Sequence, residues 1–277
     1  MSARPARALL AVIVALLILP LGGCAGNDWL DGGWFDDTPD LERTWRGAVV
    51  ALPVAANGET ELRRNDEAAI ARDLARLDPA ARWPVIVFLH GCTGIGNYPF
   101  LLSLAELGYV VVAPDSMARR FRPLQCDPRT ETGGFNLYVY EFRLAEVALA
   151  VQELKRQKWV DPANLYLVGV SEGGVAAALY RGDEFRARVI AQWTCQGAPH
   201  VRGIAAPPES AILAVVSSDD PWYDRQRGDC GSYMGARPGS QSLVVQNSRN
   251  HDVLIEPAVQ RRVVEFLESQ RRAVVRY

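Results

Sequence analysis

Ser171, set in Gly169-Val170-Ser171-Glu172-Gly173, is the residue of this chain best placed for nucleophilic chemistry. The pentapeptide follows an apolar, strand-forming run at 164–170 and precedes a small-residue, helix-forming run at 173–180. A serine on that sharp turn is lifted clear of the strand, with its hydroxyl at a helix N-terminus. The glycines on either side suit a turn where side chains would collide with the neighbouring strand and helix.

A serine hydroxyl attacks poorly until an imidazole can take its proton, and the imidazole needs a carboxylate to fix its tautomer. The chain has three histidines. His251, in Ser248-Arg249-Asn250-His251-Asp252-Val253, lies between the last predicted strand and the last predicted helix, where the order serine, acid, histidine puts the base. His90 follows the predicted strand 84–89 directly and reads as loop scaffolding, while His200 sits in a loop with no such place. The acid is expected in Ser217-Ser218-Asp219-Asp220-Pro221-Trp222, at the end of the predicted strand 211–216. Pro221 restricts the residue before it to extended or turn geometry, which favours Asp220 over Asp219, with Asp224 third.

A tetrahedral oxyanion requires two N–H donors. One is expected from Glu172, at the positive end of the helix after Ser171, where its charge also suits the helix dipole. The other is expected from Cys92 in His90-Gly91-Cys92-Thr93-Gly94; its thiol could in turn bond to Cys126, which follows the next strand on the same rim. Arg119, Arg120, Arg122 and Arg129 form a basic stretch on that rim. It reads as solvated surface, with preference for carboxylate-bearing substrates as the sharper alternative.

The elements that must hold these residues alternate. Apolar strands are predicted at 47–54, 84–89, 109–113, 164–170, 187–193, 211–216 and 241–245, and helices at 66–77, 99–107, 135–157, 173–180 and 256–270. The helix at 135–157 is predicted to turn Leu144, Val147, Ala148, Val151 and Leu154 to one side. All-apolar strands separated by helices mean a mostly parallel sheet covered on both faces, in one α/β domain.

With Phe88-Leu89-His90-Gly91, Gly169-Val170-Ser171-Glu172-Gly173-Gly174 and Asn250-His251-Asp252 in place, the chain resembles the α/β-hydrolases, and within them the dienelactone hydrolase-like branch, from about Pro84 to the C-terminus. Dienelactone hydrolases proper carry a cysteine at the elbow; this chain carries Ser171. The resemblance implies hydrolysis of carboxylic esters or lactones with no metal and no cofactor. A serine peptidase of the same fold and a non-catalytic surface binding protein are the alternatives.

The chain has 277 residues, of which 49% are hydrophobic and 22% charged, with a net charge of −2, which argues against nucleic acid as a partner. Arg4 and Arg7 precede an apolar run at 8–19, and Leu21-Gly22-Gly23-Cys24 resembles the lipobox of bacterial lipoprotein signals. The expected organisation is a signal peptide at 1–23, a flexible tether at 24–45 and the hydrolase domain at 46–277, with lipidated Cys24 holding an exported body to a membrane. Cys92, Cys126, Cys195 and Cys230 then sit in an oxidising compartment, where two disulfides have three connectivities open to them.

Overall fold

The computed structural model describes residues 38–53, 60–222 and 228–271. The expected signal, Cys24 and most of the expected tether lie outside these residues, as does Asp224.

The first element corrects the tether boundary. Residues Asp40–Arg46 form a helix, α1, with acidic residues in its first turn, basic ones in its last, and Thr44 and Trp45 buried. The Trp45 indole donates to Glu67 Oε1 at 2.7 Å, so the body begins before residue 46. Strands β1 (Val49–Ala51) and β2 (Leu62–Arg64) follow, then helix α2 (Glu67–Leu77), capped by the Asp66 carboxylate on the Ala69 N–H. The chain continues through β3 (Trp83–Leu89), α3 (Tyr98–Glu106) and β4 (Val110–Ala113). A small antiparallel hairpin, β5 (Cys126–Asp127) with β6 (Thr132–Gly133), interrupts the long connection to α4 (Tyr138–Lys155). Then come β7 (Val160–Val170), α5 (Glu172–Leu179), β8 (Ala187–Ala191), β9 (Ala211–Ser217), α6 (Gly231–Met234), β10 (Gln241–Val245) and α7 (Pro257–Gln270).

Eight strands make one sheet in the order β10-β9-β8-β7-β3-β4-β1-β2. The six from β10 to β4 run parallel, and β1 pairs antiparallel with both β4 and β2. Along β3, Val85, Val87 and Leu89 enter one core while Ile86 and Phe88 enter the other. Buried residues of α1, α2, α4 and α5 fill the first core, and those of α3 and α7 the second. This is the mostly parallel, helix-covered sheet predicted from the alternating pattern, and it is the α/β-hydrolase fold that the resemblance implies. No described helix is long and apolar enough to cross a membrane.

The inward face of α4 differs from the expected one. Ala148 is exposed, and the buried set is Val139, Tyr140, Arg143, Glu146, Val147, Ala150, Val151 and Leu154. Two charged residues thus lie on its apolar side, and both serve the site above.

Candidate active site

In a parallel sheet the carboxyl ends of the strands all open on one edge, and loops leaving that edge converge. Six such loops meet here: those after β3, β4, β7, β8, β9 and β10. The turn after β7 carries Ser171 at φ 56°, ψ −118°, a left-hand-side conformation that L side chains rarely adopt. A Cβ on Gly169 would collide with the Gly173 carbonyl, and one on Gly173 with the Leu89 carbonyl, so the elbow closes only with glycine at both. The Ser171 N–H donates to Ala191 O at 2.8 Å, tying the strained turn to β8.

The predicted serine, histidine and acid come together. Ser171 Oγ is 2.8 Å from His251 Nε2, and His251 Nδ1 lies 2.9 and 3.1 Å from the two Asp220 oxygens. A carboxylate facing Nδ1 assigns the proton there and leaves Nε2 as acceptor for the hydroxyl. Asp220 is buried, and its oxygens also accept from the Trp222 N–H at 3.0 Å and Gln192 Nε2 at 2.8 Å. Asp219 takes no part in this chain of bonds: its carboxylate accepts from the Ser218 hydroxyl and its N–H donates to Ser248 O. His200 is exposed in its loop and likewise apart.

Two contributors were not legible in the sequence. Gln192, the first residue after β8, is fully buried at φ 53°. Its Nε2 donates to Asp220 and to Asn250 O, and its Oε1 accepts from the Ser217 N–H, so one amide spans the acid loop and the histidine loop. Trp222 stacks on the His251 ring with centroids 4.6 Å apart. The only signals for these were their positions, just past a strand end and just past Asp220-Pro221.

Below the serine lies a buried ionic cluster, which corrects the reading of Arg119 and Arg122 as solvated surface and leaves it standing for Arg120 and Arg129. Glu172 is not simply a dipole partner: its Oε1 accepts from Arg122 Nη2 at 2.6 Å, with Arg143 Nε 3.5 Å away. Arg143 also pairs with Glu146 at 3.1 Å, and Arg119 donates to Glu146 at 2.7 Å while packing over Phe142. Arg119 and Arg122 are therefore committed to protein carboxylates and do not serve a substrate carboxylate. Arg129 pairs with Asp127 at the surface, and Arg120 is exposed.

His90 is the scaffold it was read to be. Its Nδ1 donates to Gly91 O at 2.6 Å, and its Nε2 accepts from the Ser116 N–H at 3.0 Å, with Arg143 3.2 Å away. Complete burial, followed by the Arg143 charge, pushes its pKa well below the ordinary histidine value, so the ring is neutral. It shapes the loop in which Cys92 sits. The Glu172 N–H, at the first helical position, has no intrahelical acceptor, and no hydrogen bond occupies the Cys92 N–H among the described residues. Cys92 is bonded to Cys126, and Cys195 to Cys230, which settles the connectivity.

Two cavities meet at Ser171. One, of about 60 Å³, is walled by residues including Cys92, Cys126, Gly134, Tyr140, Glu172 and Val175. The other, of about 290 Å³, has His251, Asp252, Asn97 and Gly91 in its wall. Ser171, Cys92 and Trp222 border both. The long connections after β4 and β8 enter the wall of the small cavity through Gln125, Cys126, Gly133 and Gly134 and through Gly197 and Ala198.

The model of the dienelactone hydrolase family matches residues 72–226, which include Ser171 and Asp220 and stop short of His251. Comparison with curated protein sequences gives no match. Among solved structures, a Klebsiella pneumoniae protein provisionally described as a dienelactone hydrolase is 14% identical, with a TM-score of 0.51 over 80% of this chain and 98% of that one. The Agrobacterium tumefaciens protein Atu2452, of unknown function, is 18% identical with a TM-score of 0.50, over 69% of this chain and 93% of that one. The acylaminoacyl peptidase of Pyrococcus horikoshii is 15% identical with a TM-score of 0.47 over 68% of this chain, which spans 38% of the peptidase's length. At such identities the likeness is one of fold. The family match covers more than half of the sequence, and on it the chain belongs to the dienelactone hydrolase family, hydrolases of the α/β-hydrolase fold.

Proposed function

We propose that the protein is a serine hydrolase of carboxylic esters or lactones. The observation that carries this is the unbroken hydrogen-bond chain from Ser171 Oγ through His251 to Asp220. Ser171 Oγ attacks the ester carbonyl carbon as its proton passes to His251 Nε2, and Asp220 steadies the resulting imidazolium. The negative charge moves to the carbonyl oxygen, held by the N–H groups of Cys92 and Glu172. On collapse, the bond from the carbonyl carbon to the leaving oxygen breaks, and that oxygen takes the proton from His251. Water then attacks the acyl-enzyme, giving a proton to His251, which returns it to Ser171 Oγ as the acid departs.

A serine-directed fluorophosphonate is expected to label Ser171, as read by peptide mass mapping, and to label His251→Ala negligibly. Ser171→Ala and His251→Ala should each lower ester turnover by about 10³-fold or more. Activity within tenfold of the parent would end the assignment.

The sequence features at 1–24 carry a companion proposal: export, with Cys24 lipidated and the body tethered to a membrane of the cell envelope. The two disulfides in the body support an oxidising location. Cys24→Ser should move the protein from the membrane fraction to the soluble one; persistence in the membrane fraction would contradict lipidation.

A further inference from the structure

The two cavities at Ser171 differ almost fivefold in size, and the chemistry assigns them to different halves of an ester. We infer that the small cavity receives the acyl group and the large one the alcohol, making the protein selective for short-acyl esters of bulkier alcohols. This rests on the serine hydrolase reading.

The tetrahedral carbon carries four groups: Ser171 Oγ, the oxyanion, the leaving oxygen and the acyl chain. The leaving oxygen must lie within hydrogen-bond reach of His251 Nε2 to be protonated. His251 borders the 290 Å³ cavity and does not border the small one. The alcohol therefore extends into the large cavity, beside His251 and Asp252. The oxyanion occupies the Cys92 and Glu172 donors, which leaves the acyl chain the 60 Å³ cavity. That volume holds on the order of two to five heavy atoms, enough for an acetyl to butyryl chain.

The small cavity is also poorly able to widen. One wall is the Cys92–Cys126 disulfide, which joins the β3 loop to the β5–β6 hairpin. The hairpin is closed by Gly134 N–H to Gln125 O at 2.9 Å, and a side chain at Gly133 would already crowd Cys126 and Trp222. Val175, on the buried helix α5, and Tyr140, on α4, complete it; both side chains are packed into the first core. Fitting a longer chain means displacing close-packed or covalently fixed groups.

The test is kcat/KM for p-nitrophenyl acetate, butyrate, octanoate and decanoate, and for acetate esters of methanol, benzyl alcohol and naphthalenemethanol, whose leaving alcohols are of similar basicity. Labelling of Ser171 by a small fluorophosphonate is read on the same preparation. The expected result is a fall of about 100-fold or more between butyrate and octanoate, with the acetates of the two bulky alcohols turned over about tenfold or more faster than methyl acetate. Val175→Ala and Tyr140→Ala should each raise octanoate turnover relative to acetate. Labelled protein that hydrolyses octanoate as well as acetate overturns the cavity assignment and leaves the serine hydrolase reading standing. Unlabelled protein inactive on every ester overturns both.

Discussion

Asp220 accepts four hydrogen bonds or charge contacts at once, and one of its donors, Gln192, has no role in bond making. Gln192 acts by position: its amide locks the Asp220 carboxylate, the Asn250 carbonyl and the Ser217 N–H into one unit. Gln192→Leu fills much the same volume, strands the buried Ser217 N–H and removes one donor each from Asp220 and the Asn250 carbonyl. It should lower kcat about 10- to 100-fold, because Asp220 can swing away from His251 Nδ1, with KM little changed. Stability should fall by about 1–3 kcal/mol from the unsatisfied groups. Gln192→Glu separates the two effects, since it restores shape and places a second carboxylate beside Asp220; its pH–rate profile should shift to higher pH as the imidazolium is further stabilised. Unchanged kcat and pH profile in both variants would reduce Gln192 to packing. Nothing in the local sequence distinguishes this glutamine from a surface one, because what makes it functional is a left-handed backbone step after β8 and two loops arriving from 25 and 58 residues away.

At the scale of elements, what the sequence made legible is what depends on local pattern. The strand–elbow–helix unit is fixed by apolar residues and close glycines, and it appears as expected in β7 and α5. The acid and histidine follow from chain order once the elbow is known. The edge of the sheet was not legible, because β2 is three residues long with none buried and draws its register from β1. Helix α1 was hidden by its acidic, tryptophan-bearing setting; its stability comes from burial of Trp45 and from the Glu67 contact. The buried side of α4 was misread because Arg143 and Glu146 look like a solvent-facing pair three residues apart. They instead form the floor under the β3 loop, and His90 joins them. A histidine kept neutral by burial and by the neighbouring Arg143, with Arg122 also contributing, binds its proton less tightly in the folded state than in the unfolded one. Stability is therefore full above the unfolded value near 6.5 and falls as pH drops below it, by up to about 1.4 kcal/mol per pH unit. His90→Gln retains an acceptor for the Ser116 N–H and removes that titration. Urea unfolding between pH 7 and pH 5 should show a shallower loss of stability in the variant, and equal slopes would mean that His90 accepts a proton without strain.

At the scale of the whole molecule, the two disulfides link loops on the same edge of the sheet. Cys92–Cys126 closes 34 residues and Cys195–Cys230 closes 35, so chain entropy alone gives them similar weight, about 3–4 kcal/mol each. Their positions differ. Cys195 and Cys230 bind the loop after β8 to α6, and Cys230 Sγ touches Trp193 O in the core. Cys92 borders both cavities and supplies a proposed oxyanion donor. Replacing Cys195 and Cys230 together by serine should lower the unfolding free energy by that amount while kcat on a short-acyl ester changes by less than threefold, about 0.7 kcal/mol. Replacing Cys92 and Cys126 together should cost similar stability and also lower kcat by about 10- to 100-fold, because an N–H that drifts by a fraction of an ångström no longer meets the developing charge. The measurement is kcat at a temperature where each variant remains folded, set beside its urea midpoint. Equal kcat in the two double variants would show that the β3 loop is held by the His90–Arg143 floor rather than by the disulfide. A selective loss in the Cys92 pair would instead make oxidation of Cys92 and Cys126 a condition of the protein's activity as well as of its folding.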